Sequence, residues 1–286
     1  MANRIFYAVQ SIDFGGVTTG FQSVSVNSSV DFEQVFELGR LDVYENLEGV
    51  PSVEITAERA FPTSTGSTIW TTAGGGNTQD AAIARVDINM SVADDSQSTF
   101  SAENFLQSTG TYISSWSCNF PVEGFATESC TVVGNHLSWS DGSGGVIHAS
   151  ATGNASGTGL VVRRQDVTNY AKLQSVSFNA DIGREDLFEL GEKSPYFRSA
   201  TFPIETGSEW EYLAAGGLVG PQFGSALEFD PDDNSDQTSD VSVSFEGVSI
   251  GSAARLNATS YSGGDAGGGN ATVTYSYIAY NYLTAP

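Results

Sequence analysis

Apolar residues recur at every second position in several stretches of this chain. In "ARVDINMSV" (84–92), Val86, Ile88, Met90 and Val92 share one face and Arg85, Asp87, Asn89 and Ser91 the other. "VEITA" sets Val53, Ile55 and Ala57 on one side, and "VSVSF" does the same with Val241, Val243 and Phe245. A period of two belongs to half-buried strands with one dry face and one wet or partner-facing side. "TVTYSYIAYNY" (272–282) carries an aromatic stripe whose phase shifts around Tyr277 and Ile278, as a bulge would cause.

Two segments break the alternation. "EQVFELG" and "EDLFELG" pack apolar residues at near-helical spacing and stop at Gly39 and Gly191. That suits a single helical turn or a tight loop closed by a glycine. "TTAGGGNTQD" (71–80) and "YSGGDAGGGN" (261–270) read as mobile loops. "DPDDNSDQTSD" (230–240) reads the same way, being too acidic and too poor in apolar residues to pack.

The shared phrase is part of a longer echo. Sliding the sequence by 152 positions, the distance from Phe36 to Phe188, lays residues 22–51 over 174–203 without a gap. Gln22 then meets Gln174, Phe36 meets Phe188, Leu38 meets Leu190, Gly39 meets Gly191 and Pro51 meets Pro203. Ser23, Val24, Ser25, Asn27, Glu33, Glu37 and Tyr44 also meet identical residues. The chain reads as two diverged copies of one module, residues 1–150 and 151–286. A Gly-, Ser- and Ala-rich stretch, 140–159, is the candidate linker.

Composition supports an all-β reading. Gly reaches 32 of 286 residues, Lys and Arg together only 11, and β-branched and aromatic residues stand between Gly and Asn. The expectation is two tandem β-sandwich or barrel modules, each with one short helix and long Gly-rich loops. The formal charge of −23 excludes a protein that grips nucleic acid or anionic lipid through clustered cations. It fits a surface that repels polyanions or one that stays soluble at high salt. The start, "MANRIFYAVQSIDF", lacks a signal-peptide apolar run, and no segment is long and apolar enough to span a bilayer.

Candidate chemistry is thin. Asp230, Asp232, Asn234 and Asp236 alternate as calcium ligands would, but Ser235 and Val241 stand where an EF-hand needs Gly and Glu. No Lys follows Gly76 or Gly269, as a phosphate-cradling loop requires. His136 and His148 accompany no nucleophile motif, and the stock of His and Cys has no short-spaced pair for zinc. Glu37 and Glu189 recur in both copies, so neither has a unique catalytic companion. No enzyme, cofactor or metal is expected. Cys118 and Cys130 flank Gly124 symmetrically: a hairpin would set them face to face, and a reduced, buried pair is the reading favoured without an export signal. The sequons at Asn27, Asn154, Asn257 and Asn270 are expected by accident in so Asn-, Ser- and Thr-rich a chain. Trp116, Trp139, Tyr275 and Tyr277 are candidates for a sugar platform, or for core and interface packing.

Residues 173–211 and 111–139 resemble virion structural proteins, in particular the major tail tube proteins of long-tailed (siphovirus-like) bacteriophages. In the second stretch Phe120, Pro121, Val122, Glu123, Gly124, Thr127, Glu128, Ser129, Val133, Gly134, Asn135 and Trp139 fill a strand–Gly turn–strand pattern of the tube module. Cys130 replaces a more usual β-branched residue there. The resemblance implies β-sandwich modules that pair strand edges into rings, with rings stacked into a hollow tube in the virion after synthesis in the host cytoplasm. It implies as partners further copies of this chain, other tail proteins and passing DNA that is not specifically bound, with no membrane. Six-fold rings of modules imply three two-module chains per ring, a trimeric pseudo-hexamer, as against six chains in a hexamer. A capsid decoration or neck protein, and a β-sandwich carbohydrate-binding or adhesin module, are the alternatives.

Overall fold

A computed structural model gives the fold and describes residues 5–39, 42–61, 67–94, 104–141, 172–191, 195–213, 240–263 and 271–286. The first half contributes β1 (Ile5–Phe14), β2 (Phe21–Phe36), β3 (Val43–Ala60), α1 (Ile69–Gly74), α2 (Thr78–Ile83), β4 (Arg85–Asp94), β5 (Asn104–Pro121), β6 (Thr127–Gly134) and β7 (Ser138–Asp141). The second contributes β8 (Leu173–Asp181), β9 (Arg184–Leu187), β10 (Phe197–Ala200), β11 (Glu205–Leu213), β12 (Val241–Phe245), β13 (Val248–Ser262) and β14 (Thr272–Tyr280). The protein is all-β, with two short helices among the described residues.

Twelve strands join one sheet along the path β12-β13-β14-β11-β8-β5-β6-β3-β2, with β4 and β7 also on β5 and β1 on β4. β9 and β10 make a separate hairpin. The alternation seen in sequence explains how the sheet is buried. Val53, Ile55 and Ala57 of β3, Val86, Ile88 and Met90 of β4, and Val241, Val243 and Phe245 of β12 all lie in one apolar core that runs through both halves. Glu54 and Glu58 flank β3's buried residues on the side facing away from that core.

The halves use their strands alike. β2, β3, β6 and β5 lie side by side in the first; β8, β11, β14 and β13 do so in the second. Val53 faces Gly134 across β3 and β6, as Thr206 faces Ala279 across β11 and β14. Ile113 faces Val132 just before a register shift at Ser114, and Leu256 faces Tyr277 just before a shift at Asn257. Ser23 donates to Glu58 at 3.3 Å and Ser175 to Glu211 at 3.1 Å. One difference interrupts the match. Val24 faces Ala57, but Val176 faces Trp210, one residue beyond the position that the 152 offset assigns to Ala57. The repeated prolines accordingly differ in setting: Pro51 pairs with Val30 inside a strand, while Pro203 lies between β10 and β11.

Several expectations are corrected. The "FELG" segments are not helical: each caps an antiparallel hairpin, β2–β3 or β9–β10, and Gly39 (φ 90°) and Gly191 (φ 97°) supply the left-handed turn that an L side chain resists. Both described helices lie in the first half rather than one in each, and residues 214–239 between β11 and β12 lie outside the described residues. "TTAGGGNTQD" is not a loop but the end of α1 and the first half of α2. Gly75 at φ 77° closes the first helix, and the Asn77 side chain accepts the Asp80 N–H to open the second. β14 keeps its phase through Tyr277 and Ala279; the bulge sits opposite, on β13. Ile278 merely places a large apolar side chain on the wet side. The linker beyond Asp141, the acidic loop before Asp240, residues 264–270, and His148, Asn154 and Asn270 fall outside the described residues.

Candidate assembly interface

The strand–turn–strand around Gly124 is built on a buried charge. β5 and β6 pair so that Cys118 faces Glu128 and Trp116 faces Cys130. The two cysteines therefore sit two positions out of register, both buried and free, rather than face to face. Glu128 is fully buried. Its Oε1 accepts from the Ile69 N–H at 2.6 Å, the Trp70 N–H at 3.4 Å and the Trp116 indole at 2.7 Å. The Arg59 guanidinium lies 3.5 Å from its Oε2. A carboxylate thus meets the unpaired first-turn N–H groups of α1 and fixes that helix over the sheet. Burial pushes the Glu128 carboxyl up, against the pull of Arg59 and the three N–H donors. Burial likewise raises both thiols, so neither is a reactive thiolate.

Gly134 closes the same ladder. A Cβ there would stand 2.7 Å from the Cγ2 of Thr111, whose hydroxyl is committed to the Val86 carbonyl at 2.6 Å. Gln22 and Gln174 make one local contact in duplicate, each side-chain amide donating to the carbonyl two residues earlier, Gly20 at 3.2 Å and Lys172 at 3.1 Å.

The halves meet strand to strand. β5 pairs antiparallel with β8 from Ser115–Asp181 to Pro121–Ser175, burying Cys118 against Phe178 and Trp116 against Ala180. Ser114 accepts from the Ile182 N–H, and Gln174 from the Val122 N–H, each at 2.7 Å. Arg184 extends the joint. Its Nε donates to the Ile113 carbonyl at 2.9 Å, its other nitrogens reach the Ala81 and Ala82 carbonyls of α2, and its guanidinium lies 5.2 Å from the centre of the Tyr112 ring. Burial lowers its pKa to about 10. Trp70 and Thr71 of α1 donate to the Leu283 and Ala285 carbonyls, at 3.2 and 2.6 Å.

Two arms project from this body. The "FELG" tips leave Phe36, Leu38, Phe188 and Leu190 outside the core, with Leu38 at 103% and Leu190 at 108% exposure. Phe32, Tyr44 and Leu47 on the first arm, and Leu187 and Tyr196 on the second, are exposed too. The structure therefore divides the residues singled out by sequence. Gln22, Gly124, Glu128, Gly134 and Gln174 shape the sheet, Phe36, Leu38, Gly39, Phe188, Leu190 and Gly191 form arm tips, and the two prolines do neither together. The side of the sheet away from the core carries Ser and Thr with Glu54, Glu58, Asp181, Glu205, Glu209 and Glu211. Among the described residues the cations on that side are Arg255 of β13, 3.0 Å from Asp240, and the exposed Arg85 of β4.

The aromatic platform does not form. Trp116, Tyr275 and Tyr277 are buried, and only Trp139 is exposed, because the first three belong to dry-side strand positions. Among the described residues no group of three or more His, Cys, Asp or Glu is placed to hold a metal ion, and no helix is long and apolar enough to cross a membrane. Sequence reading missed Arg59, Trp70, Arg184 and Tyr261. Arg59 and Arg184 had a signal in retrospect, because a chain with 11 basic residues commits few of them without a partner.

No protein-family model matches the chain, and no curated protein matches it in sequence. Solved structures similar to it include a chain from the sheath-tube complex of an extracellular contractile injection system, PVC, in the extended state. That chain is 17% identical with a TM-score of 0.37, over 48% of this chain and 91% of that one. Another comes from the cap that terminates the tube of the anti-feeding prophage, 13% identical with a TM-score of 0.36, over 50% of this chain and 97% of that one.

Proposed function

We propose that the protein is a self-assembling structural subunit of a phage-tail-like tube, built from two copies of one module and without enzymatic activity. One observation carries this reading. The sheets of the two halves, alike in strand order, register and bulge position, are joined edge to edge at β5 and β8. A module that continues into its own likeness through a strand edge can continue into further copies by the same means. Three chains then close a ring of six modules, and rings stack into a virion tail tube. The acidic Ser- and Thr-rich side of the sheet lines the bore, where like charge keeps ejected DNA from binding. Other tail proteins cap the ends.

Negative-stain microscopy of the purified chain over a rising concentration series tests this. Hollow rods with three chains per ring, counted in a reconstruction, are the expected result. Six chains per ring overturns the duplication-based symmetry. A chain that stays monomeric throughout overturns the tube itself.

A further inference from the structure

We infer that the next copy joins through β13 and β2 in one particular register, with Tyr261 opposite Val26 and Ser260 opposite Asn27 of the neighbour. The inference rests on the tube reading in one respect, that copies meet at all; the register comes from the joint already present inside the chain.

The registers of the two halves make β5 the counterpart of β13, because Ile113 and Leu256 occupy matching places just before their bulges. The 152 offset makes β8 the counterpart of β2. Within the chain, β5 is crossed by β4 along its first part and by β8 along its last. β13 repeats half of that arrangement: β12 covers Val248–Ala254, and beyond Ala254 the edge opposite β14 has no strand among the described residues. β2 ends the sheet path at the other side and, among the described residues, pairs only with β3. Each free edge is therefore the counterpart of an edge that is paired inside the same molecule.

Transferring the internal pairs gives the contacts. Cys118–Phe178 becomes Tyr261–Val26, and Ser117–Asn179 becomes Ser260–Asn27. The Ser114 carbonyl, which accepts from Ile182, becomes the Asn257 carbonyl facing the Val30 N–H. Side-chain character follows. Tyr261 lies opposite buried Val273 and Val26 opposite buried Ile55, so both point to the dry side. Yet Tyr261 is 58% exposed where its internal counterpart Cys118 is 2% exposed. An aromatic left at a strand edge next to half-buried valines is covered once the neighbouring strand arrives. Ser260 and Asn27 are exposed polar residues on the wet side, like Ser117 and Asn179.

The internal pattern of N–H donation makes Ser117–Asn179 a non-hydrogen-bonded pair, whose close Cα approach of about 4.5 Å suits a disulfide. The test is oxidation of the full chain carrying Asn27→Cys with Ser260→Cys, read on a non-reducing gel beside negative stain. The expected result is covalent dimers and closed trimers that disappear on reduction. The two-residue slips, Asn27→Cys with Ala258→Cys and Asn27→Cys with Ser262→Cys, should cross-link about tenfold less. The wild type sets the background from buried Cys118 and Cys130. As a second readout, Tyr261→Lys, at an exposed site, should leave circular dichroism unchanged and raise the concentration at which assemblies form by about tenfold. Rods without the expected cross-link, or with a slipped pair preferred, overturn the register while the tube reading stands. Absence of both rods and cross-links overturns both.

Discussion

The indole N–H of Trp116 donates to the buried carboxylate of Glu128 at 2.7 Å, tying adjacent strands through the residue that also caps α1. Removing the carboxylate leaves Arg59 buried beside an empty site and three N–H groups without their acceptor. Breaking a buried pair in this way costs roughly 3–5 kcal/mol, a large share of an ordinary domain's stability. Glu128→Ala should therefore lower the urea midpoint severely, whereas Glu128→Gln, which keeps one acceptor oxygen, should lose about 1–3 kcal/mol. Equal, small losses for both would show that α1 does not depend on this contact.

The same carboxyl gives a pH signature. Burial raises its folded-state pKa above the unfolded value, so the folded chain holds this proton more tightly. Its contribution is fully present below the ordinary Glu range, near pH 4, and is lost as pH rises through the elevated folded value. Glu128→Gln cannot titrate at that site. The wild-type stability minus that of the variant should therefore shrink as pH rises from about 4. Urea midpoints of the two proteins across pH 4 to 8 measure it; a difference that grows with pH contradicts the assignment.

What the sequence made legible follows from how local each signal was. The alternation in β3, β4 and β12 marked strand and dry face directly, because strand side chains alternate whatever the sheet around them. The phrase shared by residues 22–51 and 174–203 lies at the tips of two hairpins, whereas the extra residue before β11 shows only when Val176 is seen facing Trp210. "FELG" offered two local solutions, and the flanking strands chose the turn by pairing. Triple glycine suggested mobility, yet Gly75 is a helix cap because Asn77 can start α2 two residues later. Glu128 stood out as a motif residue, but its partners Ile69 and Arg59 lie far away in sequence. Only the fold could bring them together.

Packing at Gly134 provides an independent check of the β5–β6 ladder. An added Cβ would meet the Thr111 methyl at 2.7 Å, and Thr111 is buried and pinned by its bond to Val86. Gly134→Ala should cost about 1–3 kcal/mol by overpacking. Gly263→Ala, with nothing within 4 Å, should stay within about 0.5 kcal/mol. Chemical denaturation of the two variants separates them, and similar values for both would contradict the close approach.

Arg184 should behave as a joint rather than a core residue. It reaches carbonyls of Ile113, Ala81 and Ala82 from the second half, and its ring contact is with Tyr112. Arg184→Met keeps much of the apolar stem but leaves those carbonyls short of donors, at about 1–3 kcal/mol. Hydrogen exchange should show the loss in α2 and at the β5–β8 pairing before it appears in β2 and β3. Uniform acceleration over the whole sheet would mean that the contact carries no local role.

The arm tips separate folding from assembly. Phe36, Leu38, Phe188 and Leu190 are exposed, so serine at these positions removes no core contact, and each change should alter stability by no more than about 0.5 kcal/mol. Water nonetheless faces two apolar tips of the same sequence, and such surface is favourable only where a neighbour covers it. The fourfold serine variant should unfold at the wild-type urea midpoint yet fail to form long rods, giving isolated rings instead, because the proposed ring closure uses β2 around Val26–Val30 with β13 and does not involve the tips. Gly39→Ala with Gly191→Ala gives the complementary case. It strains both turns at positive φ by roughly 1–2 kcal/mol each while keeping the apolar side chains. Rods as long as wild type from the serine variant would remove the arms from stacking, and a large loss of its stability would place the tips in the core after all.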